Sequence, residues 1–135
     1  MTDSGDRRDD ARRRVEMNEA ARRAEAAEAQ VLVDAFVAEA GRRGLAPEPL
    51  KAKTYSGALV KTDKRGWYLN RSHSLAIGED GGYFRLTVPD PGLLARFTGV
   101  KLQAEPPSLL VGAGGRDGEG GELSWFLQRV LDGGL

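Results

Sequence analysis

Between Asp9 and Arg43 the chain holds no proline and a single glycine, Gly41, and it is dominated by Ala, Arg and Glu. A stretch of that length and composition has one outlet, a long helix, because these side chains lose little freedom in one. Opposite charges recur four residues apart, pairing Asp9 with Arg13, Asp10 with Arg14, Arg12 with Glu16 and Glu19 with Arg23. Each pair contributes only about 0.2–0.5 kcal/mol, and in series they bias the segment further towards helix. Gly44, after Arg42 and Arg43, predicts a stop with two cations at the carbonyl end of the dipole.

The two halves of this helix differ. Leu32, Val33, Phe36, Val37 and Ala40 make a wide apolar stripe. From Asp9 to Gln30 the only apolar side chains larger than Ala are Val15 and Met17. A helix of about 35 residues measures roughly 52 Å. The remaining ~90 residues form a ball only about 30 Å across. The charged half must therefore overhang. Residues 1–28 are expected to be a mobile or partner-dependent charged extension, and residues 29–135 a single α+β domain.

After Gly44 the period changes. Pro47 and Pro49 break the helix, and short apolar or β-branched runs follow, separated by turn residues. Strands are predicted at 50–55, 58–62, 66–70, 75–78, 83–88, 100–104 and 109–111. Asp63-Lys64-Arg65-Gly66 and Glu79-Asp80-Gly81-Gly82 read as hairpin turns with Gly at positive φ. Phe84, Leu86 and Val88 alternate with Tyr83, Arg85 and Thr87, the pattern of a strand with one wet face. Leu93 to Phe97 suits one helical turn, and Pro106-Pro107 a hairpin. A Gly-rich loop from Gly112 to Gly121 leads to a closing helix at 122–131, with Leu123, Phe126, Leu127, Val130 and Leu131 on one face. The expected class is α+β: a long N-terminal helix, an antiparallel meander of six to seven short strands, and an amphipathic C-terminal helix. A single core is expected from Phe36, Trp67, Leu69, Ile77, Phe84, Leu86, Leu102, Leu110, Phe126 and Leu127. The element order also resembles the outline of pleckstrin-homology-like barrels, an analogy of order alone.

Composition excludes several classes of function. The 20 Lys and Arg of the 135 residues cancel 20 Asp and Glu. A histone-like coat or an acidic decoy needs a large charge of one sign. There is no cysteine, which removes disulfides, thiolate nucleophiles and Cys-based metal sites. The N-terminus shows no apolar leader segment, and no apolar run approaches the ~20 residues of a spanning helix. The expectation is a cytoplasmic protein without a membrane partner.

Residues that could carry chemistry are few. His73 is the one histidine, and Ser72 and Ser74 beside it point away from it in any extended geometry, so it reads as a solvated turn residue. Asp117, Glu119 and Glu122 cluster in the Gly-rich loop, where solvation opposes acid–base work, and their spacing misses a calcium loop. The same loop lacks the Gly-Lys-Ser/Thr of a phosphate cradle, and Glu122 reads as a first-turn acid on the closing helix. No catalytic residue, cofactor or metal is expected.

Local charge is more informative. From Pro49 to Leu75 there are six cations, Lys51, Lys53, Lys61, Lys64, Arg65 and Arg71, against one acid, Asp63. Tyr55, Trp67 and Tyr68 are interleaved with them, and Lys51, Lys53 and Tyr55 share a strand face by the two-residue period. Single-stranded nucleic acid or another polyanion uses such a face. Cations on a wet strand face also block edge aggregation. Trp67-Tyr68-Leu69 resembles the tripeptide that names the WYL domain of bacterial ligand-sensing regulators. The likeness covers three residues that suit any strand, so no function is carried over from it.

The expectation from sequence is a small non-enzymatic protein-interaction module. It would act through its long charged helix, on a protein partner or a second copy. The alternative is polyanion binding through Lys51, Lys53, Tyr55, Lys61, Lys64, Arg65 and Arg71.

Overall fold

The computed structural model describes residues 3–112 and 120–135. The first element, α1, spans Asp3–Arg43 and begins six residues before the expected start. At 1.5 Å per residue its 41 residues extend about 60 Å. It ends as the sequence requires: Gly44 takes φ 72°, the Leu45 N–H donates to the Ala40 carbonyl at 2.9 Å, and the Gly44 N–H donates to that of Gly41 at 3.2 Å. These two bonds are the Schellman arrangement, which needs a left-handed residue at this point.

The strands are β1 (Glu48–Thr54), β2 (Leu59–Tyr68), β3 (Leu75–Gly78), β4 (Tyr83–Arg85) and β5 (Thr87–Val88), followed by the short helix α2 (Leu93–Thr98). Their order is β4-β3-β2-β1-β5. Only Leu86 separates β4 from β5, so the two edges of this sheet are consecutive pieces of one extended segment and the sheet closes on itself. The Leu86 N–H donates to the Ser74 carbonyl at 2.8 Å, and its own carbonyl accepts from the Lys53 N–H at 2.7 Å. The meander is antiparallel except for this closing pair, β1 with β5, which is parallel.

Closure splits the expected single core in two. Leu50, Ala52, Val60, Tyr68, Ala76, Phe84, Leu86, Val88 and Leu102 point inward and fill the curled sheet. The alternate residues Leu69, Ile77 and Tyr83 point outward and meet Ala29, Val33 and Phe36 of α1. They also meet Leu123, Phe126 and Leu127 of the closing helix α3 (Leu123–Leu131). Tyr83 is therefore buried and not on a wet face, because α1 and α3 cover the outer side of its strand. Trp67 is half-buried against the helix-side core, its ring edge-on to Phe36 at 5.3 Å and its Nε1 donating to the Leu45 carbonyl at 3.2 Å. Leu110 lies outside both cores and is exposed. It belongs to β6 (Leu110–Val111), a ribbon paired with β7 (Gly121–Glu122), in which Val111 takes the inward position.

Four local expectations are corrected. Asp63 to Gly66 is not a turn but the middle of β2, where the register steps from Pro49↔Arg65 to Lys51↔Lys61. Between these pairs one residue of β1, Leu50, faces three of β2, Thr62 to Lys64, and the two extra ones bulge out to receive the next segment. The Asp63 N–H donates to the Val100 carbonyl at 3.0 Å, and Asp63 Oδ1 accepts from the Leu102 N–H at 3.0 Å. Gly66 serves close approach and not positive φ, since a Cβ there would run into the Ile77 carbonyl of β3. Residues 100–104 consequently form a bridge at Thr62↔Val100 and not a strand, and Pro106-Pro107 does not turn a hairpin. Glu122 sits in β7 at the N-cap of α3 and not in its first turn. Glu79 to Gly82 does turn as expected, with Gly81 at φ 88°.

Phe126→Ala is expected to cost ~3–5 kcal/mol, because its ring is fully buried in the core that α3 shares with α1 and the sheet. Gly66→Ala should also lower the urea midpoint, through the clash with Ile77. Midpoints near wild type in both variants would contradict this placement.

Candidate functional site

The residues of interest converge at the turn between β2 and β3. Asn70, only 2% exposed, organises that turn. Its Oδ1 accepts from the Ser74 N–H at 3.0 Å and the Leu75 N–H at 3.2 Å, while Nδ2 donates to Ser74 Oγ at 2.7 Å. Ser72 Oγ donates to Ser74 Oγ at 3.1 Å. The clamp holds His73 at φ 56°, in the left-handed region that few non-glycine residues enter. The turn therefore stores strain, which the buried Asn70 bonds sustain.

That backbone carries the His73 ring onto Tyr68. The two rings are stacked, with centroids 3.8 Å apart and planes 6° from parallel. Tyr68 points into the curled sheet, and its hydroxyl accepts from the Lys51 N–H at 3.0 Å. The turn is thus joined to β1 through one aromatic ring. On β1 and β2, Lys51 faces Lys61 and Lys53 faces Leu59, all four exposed. Between this face and the turn lies a hollow of about 410 Å³, bordered by Lys51, Lys53, Leu59, Tyr68, Arg71 and His73, with Gly57 and Ser72 completing it. Among the described residues no acidic side chain lines it.

Of the seven cationic and aromatic residues singled out from sequence, Lys51, Lys53 and Arg71 border the hollow. Lys61 stands next to them across the β1–β2 pair. Tyr55 is exposed at the end of the hairpin. Lys64 lies 3.8 Å from Asp63 and 5.7 Å from the Phe84 ring centre, and Arg65 Nη2 donates to the Pro47 carbonyl at 3.0 Å. Those three do not join the hollow. The sequence reads His73 as a solvated turn residue and counts Tyr68 only as one of the aromatics interleaved with the cations, so it does not bring the two together. The Asn-x-x-His-Ser run, with Asn positioned to bond two backbone amides downstream, was the available signal.

A second feature is the outer half of α1. Every described side chain from residue 5 to residue 24 is exposed, and burial begins with Glu25 and Ala26 at half and Ala29 in full. A third is α2, which exposes Leu93, Leu94 and Phe97.

Among the described residues no group of three or more His, Asp or Glu could hold a metal ion, and no helix is long and apolar enough to cross a membrane. Asp117 and Glu119 lie outside the described residues. No family model matches the chain, and neither the curated proteins nor the solved structures compared with it give a match.

Asn70→Ala removes three bonds made by a buried side chain and is expected to cost ~1–3 kcal/mol. Amide exchange at Ser74 and Leu75 should accelerate more than at Ile77. Unchanged exchange at Ser74 would show that the turn does not depend on Asn70.

Proposed function

We propose that the protein is a non-enzymatic interaction module that associates through the outer half of α1 with a partner helix or with a second copy of itself. The single observation behind this reading is a continuous helix whose described side chains from residue 5 to residue 24 touch nothing that buries them. Backbone ordering costs about 1–2 kcal/mol per residue. An amphipathic face packed on something else is how helices ordinarily recover that cost.

The exposed half carries a seam suited to such packing. Met17, Ala20, Ala24, Ala27 and Val31 follow one another at alternating steps of three and four, all on exposed positions. That spacing keeps one narrow stripe facing a neighbouring helix, and alanine at its centre permits close approach of the two backbones. Arg14, Glu16, Arg23 and Glu28 flank the seam, offering charges of both signs to a partner. The reading includes a cytoplasmic site of action, which the sequence expectation alone supports.

Ala20→Glu combined with Ala24→Glu should leave the unfolding midpoint nearly unchanged, since both lie beyond the packed domain. It should abolish association in sedimentation and pull-down experiments at moderate salt. Removal of residues 1–28 should do the same. Association that survives both changes would overturn the reading.

A further inference from the structure

We propose that α2 and the lysine face beside it dock on an anionic phospholipid bilayer. Leu93, Leu94 and Phe97 enter the headgroup layer, and Lys51, Lys53, Lys61 and Lys101 face the lipid charges. This goes beyond the helix reading and stands on different residues. The expectation of no membrane partner came from the lack of a spanning segment, which does not bear on a contact with the bilayer surface.

Three observations carry it. First, α2 is amphipathic in the wrong sense for water. Leu93, Leu94 and Phe97 share one face by the helical period and are 77%, 80% and 82% exposed. Ala95, on the opposite side, is the one half-buried residue of the helix, and none is fully buried. Single exposed apolar side chains are ordinary, but three large ones on one turn mark a surface that something apolar covers.

Second, the helix is tied to a face of one charge. Ahead of it Asp90 accepts from Ser56 Oγ in the β1–β2 turn, and behind it the Val100 N–H donates to the Lys61 carbonyl at 2.8 Å. On the β1–β2 pair Lys51 faces Lys61 and Lys53 faces Leu59, all exposed. Lys101, exposed between the inward-pointing Val100 and Leu102, extends the row past the Thr62↔Val100 bridge. Among the described residues no carboxylate lies within ion-pair distance of these four lysines. Asp63, the acid of β2, is held by the Leu102 N–H and Lys64, and Arg96 offsets the charge of Asp90. Third, charge and relief select the occupant. A second copy docked through this face would set lysine against lysine. An acidic protein would need a fitted pocket for each protruding side chain. A bilayer accepts such side chains without complementary shape, and its anionic leaflet attracts the lysines, each worth about fivefold in partition.

Co-sedimentation of the full-length protein with phosphatidylcholine vesicles holding about 30% phosphatidylserine, against phosphatidylcholine alone, tests this. The protein should bind the mixed vesicles, come off as salt rises, and leave the neutral ones unbound. Leu94→Ser combined with Phe97→Ser should weaken partition at least about tenfold. Lys53→Glu combined with Lys61→Glu should abolish it. Both double variants should keep the wild-type unfolding midpoint, because all four positions are exposed. The emission that Phe97→Trp adds should shift to the blue with mixed vesicles and be quenched by brominated lipid. Polyglutamate, as a stand-in for an acidic protein, should respond to the lysine variant and not to the serine variant. Absence of binding to mixed vesicles, full binding by either double variant, or added emission that vesicles leave unchanged would each overturn the proposal. So would polyglutamate binding that falls with the serine variant as vesicle binding does, which would identify an acidic protein as the occupant.

Discussion

Leu86 joins the two edges of the sheet, and the rest of the domain depends on that junction. Its N–H and carbonyl reach opposite partners, Ser74 ahead of β3 and Lys53 in β1, so one residue completes the ladder on both sides. Exposed sheet edges are places where chains pair with one another. Here the two edges of the five-stranded sheet are consumed in closing it. Curling the sheet also gives every strand an inside and an outside. The inside is filled by Leu50, Tyr68, Phe84, Leu86 and Leu102 with smaller partners, and the outside around β3, β4 and the end of β2 is covered by α1 and α3.

This arrangement explains why the helix side and the hollow are independent. Helix α1 uses Ala29, Val33, Phe36 and Ala40 to cover the outer face near β2, β3 and β4, and Arg43 ties its end to α3 through the Leu131 carbonyl at 3.2 Å and the Asp132 carboxylate at 3.5 Å. The outer face of β1 and the first half of β2 is covered by neither α1 nor α3. Lys51, Lys53, Leu59 and Lys61 remain in solvent there, next to the Asn70–Ser74 turn. A change to the seam of α1 and a change to the hollow therefore act on separate parts of the molecule.

Much of the fold was legible because its signals are local. The Ala, Arg and Glu run gave α1, Gly44 gave its end, and the spacing of Leu123, Phe126 and Leu127 gave the face of α3. The fully buried positions of α1, from Ala29 to Ala40, lie along the half that carries the large apolar residues. Closure was not legible, since a two-residue period shows that a strand has two faces and not that both are covered. Tyr83 was misread for that reason. Asp63 to Gly66 has the composition of a turn, yet a bulge uses the same polar residues to bond the 100–102 segment, and Gly66 is required because a Cβ there would run into the Ile77 carbonyl. The hollow was half visible. Lys51, Lys53 and Arg71 were found by charge, while the stacking of His73 on Tyr68 depends on a left-handed turn that no spacing rule announces.

The central functional claim is that the outer half of α1 is stabilised by what it binds. Amide exchange from Val15 to Ala24, followed as protein or partner concentration rises, tests this most directly. The account predicts rapid exchange there in the monomer and marked slowing on association, with Phe36 slow throughout. Protection at Val15 to Ala24 equal to that at Phe36 in a proven monomer would contradict it, as would exchange that association leaves unchanged.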